Sequence, residues 1–142
     1  MAKLKILSDD QEIAASFSIM RQLRPHLQEE TYLQRIRRME NNFGYRLVAV
    51  LDQNNIVALA GFRIAENLAW GKYLYVDDLV TDEKERKKGY AQLLFEWLVK
   101  EAKAQHCKEL HLDSGVQRFD AHRFYLKNQM MIRSHHFVME LN

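Results

Sequence analysis

The sequence predicts an α/β (α+β) domain: a mixed, mostly antiparallel sheet of about six to seven strands with helices on both faces, in the order β-α-α-β-β-β-α-β-α-β. Two observations set the sheet. Apolar runs from Arg46 to Leu51 and from Ile56 to Ile64 flank Asp52-Gln53-Asn54-Asn55, a hairpin turn signal that implies antiparallel pairing. An amphipathic helical pattern from Tyr90 to about Gln105 then lies between two strand patterns, and such a crossover implies a parallel pair. A third observation sets the domain count. The 142 residues contain no linker, repeat or low-complexity segment, so residues 1–142 read as one domain with one core.

The elements follow in order. Leu4 to Leu7 is a short strand. Ser8 or Asp9 caps a helix, with Gln11 or Glu12 completing a capping box. Ile13, Phe17 and Met20 recur at helical spacing until Pro25 stops the pattern. A second helix runs from about Gln28 to Asn41, apolar through Tyr32, Leu33, Ile36 and Met39, and Asn41-Asn42 and Gly44 end it. After the hairpin, Asn67 to Gly71 is a turn and Lys72 to Val80 a third long strand. The helix from Tyr90 buries Tyr90, Leu94, Trp97 and Leu98 on one stripe. Glu109 to Ser114 alternates Leu110 and Leu112 with His111 and Asp113, as a strand does. Asp120 caps a short helix holding Ala121, Phe124 and Tyr125, and Met131 to Leu141 closes the chain as a strand.

Composition narrows the function classes. Hydrophobic residues make up 47%, which argues against disorder, and a formal net charge of +2 is too small to argue for nucleic acid. No apolar run is long enough to cross a bilayer, and Met1-Ala2-Lys3-Leu4-Lys5-Ile6 lacks a signal-peptide pattern, so a cytoplasmic protein is expected. Cys107 is the only cysteine, which excludes an intramolecular disulfide and a cysteine-based metal cage; it reads as a small, partly buried apolar residue. The histidines show no metal-ligand spacing, so no metal is expected.

The most informative stretch is Asp78-Leu79-Val80-Thr81 followed by a charged turn and Arg86-x-x-Gly89-x-Ala91 at a helix start. A strand, a small-residue turn and a helix N-terminus make an anion site, because unpaired amides and the helix dipole point the same way. Gly89 lets a ligand approach the main chain, and Ala91 keeps the first turn thin. The natural guest is a phosphate or pyrophosphate.

This stretch resembles the acetyl-CoA signature Arg/Gln-x-x-Gly-x-Gly/Ala of the GCN5-related N-acetyltransferase (GNAT) superfamily. A second match, Ala121-x-x-Phe124-Tyr125, resembles the family's Ala-x-x-Phe-Tyr helix start after the fifth strand. The resemblance covers nearly the whole chain, and the two motifs stand one helix and one strand apart. Two positions depart from it: Gln129-Met130 stands where a Gly-Phe pair is common, and Arg118 replaces a frequent Asn. Both departures concern the acceptor pocket.

The resemblance implies an acetyl-CoA-dependent N-acetyltransferase acting on a primary amine of a small molecule or peptide. Amides from about Lys87 through Lys88, Gly89, Tyr90 and Ala91 to Gln92 would bind the pyrophosphate, with Lys84, Arg86, Lys87 and Lys88 adding charge. Main-chain groups of Leu79 and Val80 would hold the pantetheine arm and the thioester carbonyl between two splayed strands. Tyr125 falls where the family's general-acid tyrosine sits. Its reference pKa near 10 exceeds a thiol's of about 8.5, so a hydrogen bond that strengthens as the thiolate forms is sufficient. Asp77 and Asp78, adjacent on a strand and so expected on opposite faces, are candidates for the base, with Glu66 weaker and solvent an alternative. Asp113, Arg118, His122 and one of His135 or His136 come from elements near the cleft and are candidates for shaping the acceptor site. Arg21, Arg24, Arg35, Arg37 and Arg38 on the first two helices weakly favour an acceptor with a negative group. A homodimer through the last strands is expected by analogy. The competing reading is a non-catalytic acyl-CoA sensor or interaction module, which keeps the Arg86–Gln92 loop but needs no Tyr125. Nucleic-acid binding through the Arg35–Arg38 and Lys84–Lys88 patches lacks aromatic–basic interleaving.

Overall fold

A computed structural model describes residues 1–142, which divide into two compact units, 1–111 and 112–142. The first unit opens with β1 (Ala2–Leu7), α1 (Asp10–Ala15), α2 (Phe17–Leu23) and α3 (Glu29–Phe43). Asp9 caps α1 in a full capping box: its carboxylate accepts from the Glu12 amide at 2.7 Å and the Glu12 side chain reaches back. The sequence reads a single helix up to Pro25, and the structure breaks it at Ser16. The Ser16 hydroxyl donates to the Ile13 carbonyl at 2.6 Å and its amide turns back to the same carbonyl, which interrupts the i to i−4 ladder. Ser16 is fully buried, and its hydroxyl meets the Tyr32 hydroxyl at 2.7 Å, so the break also ties α1 and α2 to α3.

Strands β2 (Arg46–Asp52), β3 (Asn55–Asn67) and β4 (Gly71–Thr81) form an antiparallel meander, and β1 adds antiparallel to β2. Gln53 and Asn54 both have positive φ, 53° and 66°, which is the two-residue turn that suits strand twist and that the Asp52–Asn55 signal predicts. Helix α4 (Tyr90–Ala104) carries the chain across to β5 (Glu109–Leu112), which lies beside β4. The sheet is mixed, five-stranded and ordered β1-β2-β3-β4-β5. Cys107 falls in the connection between α4 and β5 and is partly buried, as expected.

Alternation along the strands assigns the faces. Leu47, Ala49 and Leu59 pack with Ile13, Phe17, Met20, Tyr32 and Ile36 from α1–α3. Their neighbours point the other way, where Phe62 meets Trp97 of α4 edge-on at 5.6 Å. Leu94 and Leu98, one turn apart on α4, are fully buried there. Helices therefore cover both faces, as the sequence predicts.

The second unit holds α5 (Phe119–Lys127) and an extended tail. The N-cap of α5 is Arg118 and not Asp120, which lies in the first turn and accepts from Arg123 at 2.7 Å. Residues 131–142 form no strand, which corrects the strand expected from Met131 to Leu141 and brings the count from six or seven to five. Apolar composition gives that segment β-propensity, but a strand exists only where a neighbour accepts its ladder. None does so here, and Ile132, Phe137 and Leu141 stay 77%, 91% and 86% exposed.

Candidate active site

The strand-to-helix turn is built from the end of β4 outward. The Asp82 amide donates to the Val57 carbonyl at 2.8 Å, which fastens the turn to β3. Gln22 clamps it from α2: its Nε2 donates to Asp82 Oδ1 at 3.1 Å and its Oε1 accepts from the Glu83 amide at 3.0 Å. A short 3₁₀ turn, Glu83–Glu85, follows, capped by Asp82. Two left-handed residues then stand within three positions, Lys87 with φ 68° and Gly89 with φ 85°. For a lysine this conformation costs about 1–2 kcal/mol, and such strain gathers at ligand clamps. Backbone turns of this kind form concave amide nests that suit anions.

Gly89 is the N-cap of α4, and no side chain caps that helix end. A Cβ at position 89 would meet nothing within 4 Å. Its surroundings are open space, as close approach by a phosphate requires. Arg86, Lys87, Lys88 and Gly89 line the outside of the turn, whereas Tyr90 is buried and its hydroxyl donates to Asp52 Oδ2 at 2.7 Å. Tyr90 thus anchors the helix start while its amide stays at the turn. Ala91 and Gln92 follow in the first turn of α4, and Lys88 Nζ pairs with Glu85 at 3.0 Å.

Leu79 and Val80 pair with Ala60 and Leu59 on the β3 side. On the other side, β5 begins next to Lys72, whose carbonyl accepts from the Lys108 amide at 2.7 Å. Four residues of strand extend roughly 13 Å, so β5 runs out before Leu79. No strand lines the outer edge of Leu79–Thr81, and an open edge of this kind accepts an extended ligand as a further strand.

Asp77 and Asp78 depart from the strand geometry the sequence implies. Phe62 pairs with Val76 and Gly61 with Asp78, so Asp77 is the extra residue of a β-bulge. The two carboxylates are therefore not on opposite faces. Asp78 Oδ1 accepts from Arg24 Nε at 3.0 Å and its Oδ2 from the Tyr45 hydroxyl at 2.6 Å. Asp77 accepts from Arg63 Nε and Nη2 at 2.8 and 3.0 Å, and its carbonyl accepts from Arg24 Nη2 at 2.9 Å. Arg63 also lies over the Tyr75 ring, 5.0 Å from its centroid. Both groups meet on the α1–α3 face, to which Gly61 and Tyr45 belong. Burial, Asp78 and its hydrogen bond raise the Tyr45 phenol well above its ordinary range.

Sequence reasoning missed Tyr45, Gly61 and Arg63, and read Arg24 as a helix charge favouring a negative acceptor, whereas it bonds to Asp78 and to the Asp77 carbonyl. One signal was present. Gly61 interrupts the apolar run Val57–Phe62, and an isolated glycine in a strand marks a bulge or a close approach.

In the second unit, burial pushes the Tyr125 phenol above its ordinary value, with Arg118 opposing. Tyr125 is accordingly a protonated hydroxyl at neutral pH, able to donate. His122 Nε2 lies 2.8 Å from the Gly115 carbonyl, and His136 Nδ1 lies 3.4 Å from Asp113.

The chain is similar to known acetyltransferases. Residues 10–129 match the family model described as the acetyltransferase (GNAT) family. An uncharacterized N-acetyltransferase of Bacillus subtilis, YhdJ, is 38% identical over 125 residues, which cover 88% of each chain. The fold is similar to that of a ribosomal-protein-alanine N-acetyltransferase from Brucella melitensis, with a TM-score of 0.86 at 14% identity and complete coverage of both chains. It is also similar to a glucosamine-6-phosphate N-acetyltransferase from Arabidopsis thaliana, with a TM-score of 0.79 at 19% identity, covering 100% of this chain and 99% of that one. At those identities the structural likenesses speak to the fold, and the sequence matches carry the assignment: the chain belongs to the acetyltransferase (GNAT) family.

Proposed function

We propose that residues 1–142 act as a single acetyl-CoA-dependent N-acetyltransferase domain that moves an acetyl group to a primary amine of a small molecule or peptide. The observation that carries this reading is the uncapped start of α4, where Gly89 is left-handed and open on its Cβ side. Amides from Lys87 to Gln92 would take the pyrophosphate, and Lys84, Arg86 and Lys87 would add charge. The open edge at Leu79–Val80 would take the pantetheine arm as an added strand. An amide there would face the oxygen that becomes negative when the amine attacks. Losing one such donor typically slows a reaction about 10²–10³-fold.

Tyr125 is our choice for the proton donor to the departing thiolate, and its protonated state at neutral pH supports the role. Asp77 and Asp78 enter the reaction with oxygens already accepting from Arg63, Arg24 and Tyr45. We assign them to holding the strand and leave the amine's proton to solvent. Known acceptors on this fold range from a ribosomal-protein alanine to an amino-sugar phosphate, by the names of the two structural relatives, so the scaffold does not choose among them.

The test has two parts. Acetyl-CoA should raise the melting temperature of the protein by mass action. A panel of polyamines, amino sugars and their phosphates, amino acids and short peptides should then release free CoA thiol with at least one member. A protein that gains no stability from acetyl-CoA does not have this function.

A further inference from the structure

We infer that Tyr45 and Arg24 are positioning residues that lock the β4 bulge and so aim the main chain of Leu79 and Val80 at the acyl group. This inference rests on the acetyltransferase reading above and adds to it how the open strand edge is held.

Asp78 sits at the bulge, directly before Leu79. Its two oxygens are taken by two different elements from outside the strand. Arg24 is the C-cap of α2, and Tyr45 directly follows the Gly44 cap of α3. Arg24 also donates to the carbonyl of Asp77, the residue with no partner across the ladder. Three hydrogen bonds from two helix ends thus converge on the two bulge residues.

Gly61 makes the convergence possible. A Cβ there would fall inside the Tyr45 phenol, within 2.7 Å of Cε1 and closer still to Cζ and Oη. Its φ is not left-handed, so the glycine is needed for space and not for conformation. Tyr45 is 1% exposed, and a phenylalanine would fill the same volume. The hydroxyl is therefore not required for packing. It crosses the space above Gly61 and ends on Asp78, and that destination gives it a purpose. A bulge bends its strand and re-aims the residues after it, so whatever holds the bulge sets the direction of the next amides. Amides alternate between the two sides of a strand, so one of the pair Leu79 and Val80 turns its N–H toward the open edge.

Selective ¹⁵N-leucine and ¹⁵N-valine labelling, with coenzyme A titration, tests this in Tyr45→Phe, Arg24→Gln and a control, Ser16→Ala. The control loses a buried hydrogen bond in the same core and leaves all three hydrogen bonds at the bulge in place. In the wild type, coenzyme A should shift the Leu79 and Val80 signals. In Tyr45→Phe and Arg24→Gln the Kd for coenzyme A should stay within about twofold, because the pyrophosphate turn is intact. The free positions and ligand-induced shifts of Leu79 and Val80 should change, and kcat on any amine of the panel should fall at least about tenfold with the KM for acetyl-CoA held. Ser16→Ala should lower the melting temperature and leave these signals and kcat alone. Wild-type Leu79 and Val80 responses in both bulge variants would overturn the inference. A loss equally large in Ser16→Ala would reduce it to general destabilisation. If coenzyme A shifts no signal in the wild type, the acetyltransferase reading itself fails, and that outcome is separate.

Discussion

Gly89 offers the sharpest test of the cofactor turn, because its folding role and its ligand role separate. Its φ of 85° strains any L-residue, yet a Cβ there has no neighbour within 4 Å. Gly89→Ala and Gly89→Glu therefore carry the same strain, about 1–2 kcal/mol, and no collision. For a chain of this length that lowers the melting temperature of the free protein by roughly 3–6 °C. Binding responds differently. Acetyl-CoA at a hundred times its Kd stabilises the wild type by about 2.7 kcal/mol, or roughly 8 °C. A carboxylate placed about 4 Å from a phosphate charge repels it by roughly 1 kcal/mol in bulk water and 4 kcal/mol near a protein surface. A pyrophosphate doubles the encounter. Gly89→Glu should thus erase the acetyl-CoA shift at that concentration, while Gly89→Ala keeps part of it. Differential scanning fluorimetry reads both effects in one experiment. If Gly89→Glu melts a few degrees lower but still gains about 8 °C from acetyl-CoA, the pyrophosphate does not bind at this turn and the reasoning is wrong.

Three further outcomes follow from named residues. Tyr125→Phe should lower kcat by about 10²-fold or more while the KM for acetyl-CoA holds, measured by thiol release; unchanged turnover would favour a tyrosine-independent enzyme. Leu98→Ala, at a fully buried position on α4, should lose about 2–5 kcal/mol in urea unfolding, and a loss below about 1 kcal/mol would contradict the packing described. Alkali should unfold the protein through Tyr32, whose phenol is pushed up to about 12 by burial from an ordinary value of 10.0, with the Ser16 hydrogen bond opposing. The folded state prefers the neutral phenol, so its stabilisation is whole below pH 10.0 and disappears as pH climbs through about 12. Raising the phenol that far corresponds to roughly 3 kcal/mol, so urea midpoints should drop across that window and drop less in Tyr32→Phe.

The fold was legible wherever local chemistry and tertiary packing agree. The Asp52–Asn55 turn, the Asp9–Glu12 capping box, Gly44 and the Tyr90–Leu94–Leu98 stripe each state their geometry within a few residues. Elements that depend on distant partners were not legible in the same way. Ser16 sits on a continuous helical period, and the buried partner that its hydroxyl finds at the break is Tyr32, sixteen residues on. The tail from Met131 has strand composition, but composition does not supply a neighbouring ladder. The motif Arg86-x-x-Gly89-x-Ala91 was readable because a left-handed cap and an uncapped helix start are local demands. The Asp77–Asp78 arrangement was not, because a period of two slips by one at a bulge. Leu74 and Val76 pair with Ile64 and Phe62, but beyond the slip it is Leu79 that shares their face.

That slip leaves the strand with a single surplus residue whose removal would forfeit its bonds to Arg63 and Arg24 yet spare the ladder. Excising Asp77 would set Val76 beside Asp78 opposite Phe62 and Gly61, and every pairing on either side would keep its partner. The strand would straighten without turning a single apolar side chain toward water. Register and curvature are thus written at different positions of the same strand, and one codon separates a straight sheet from a bent one.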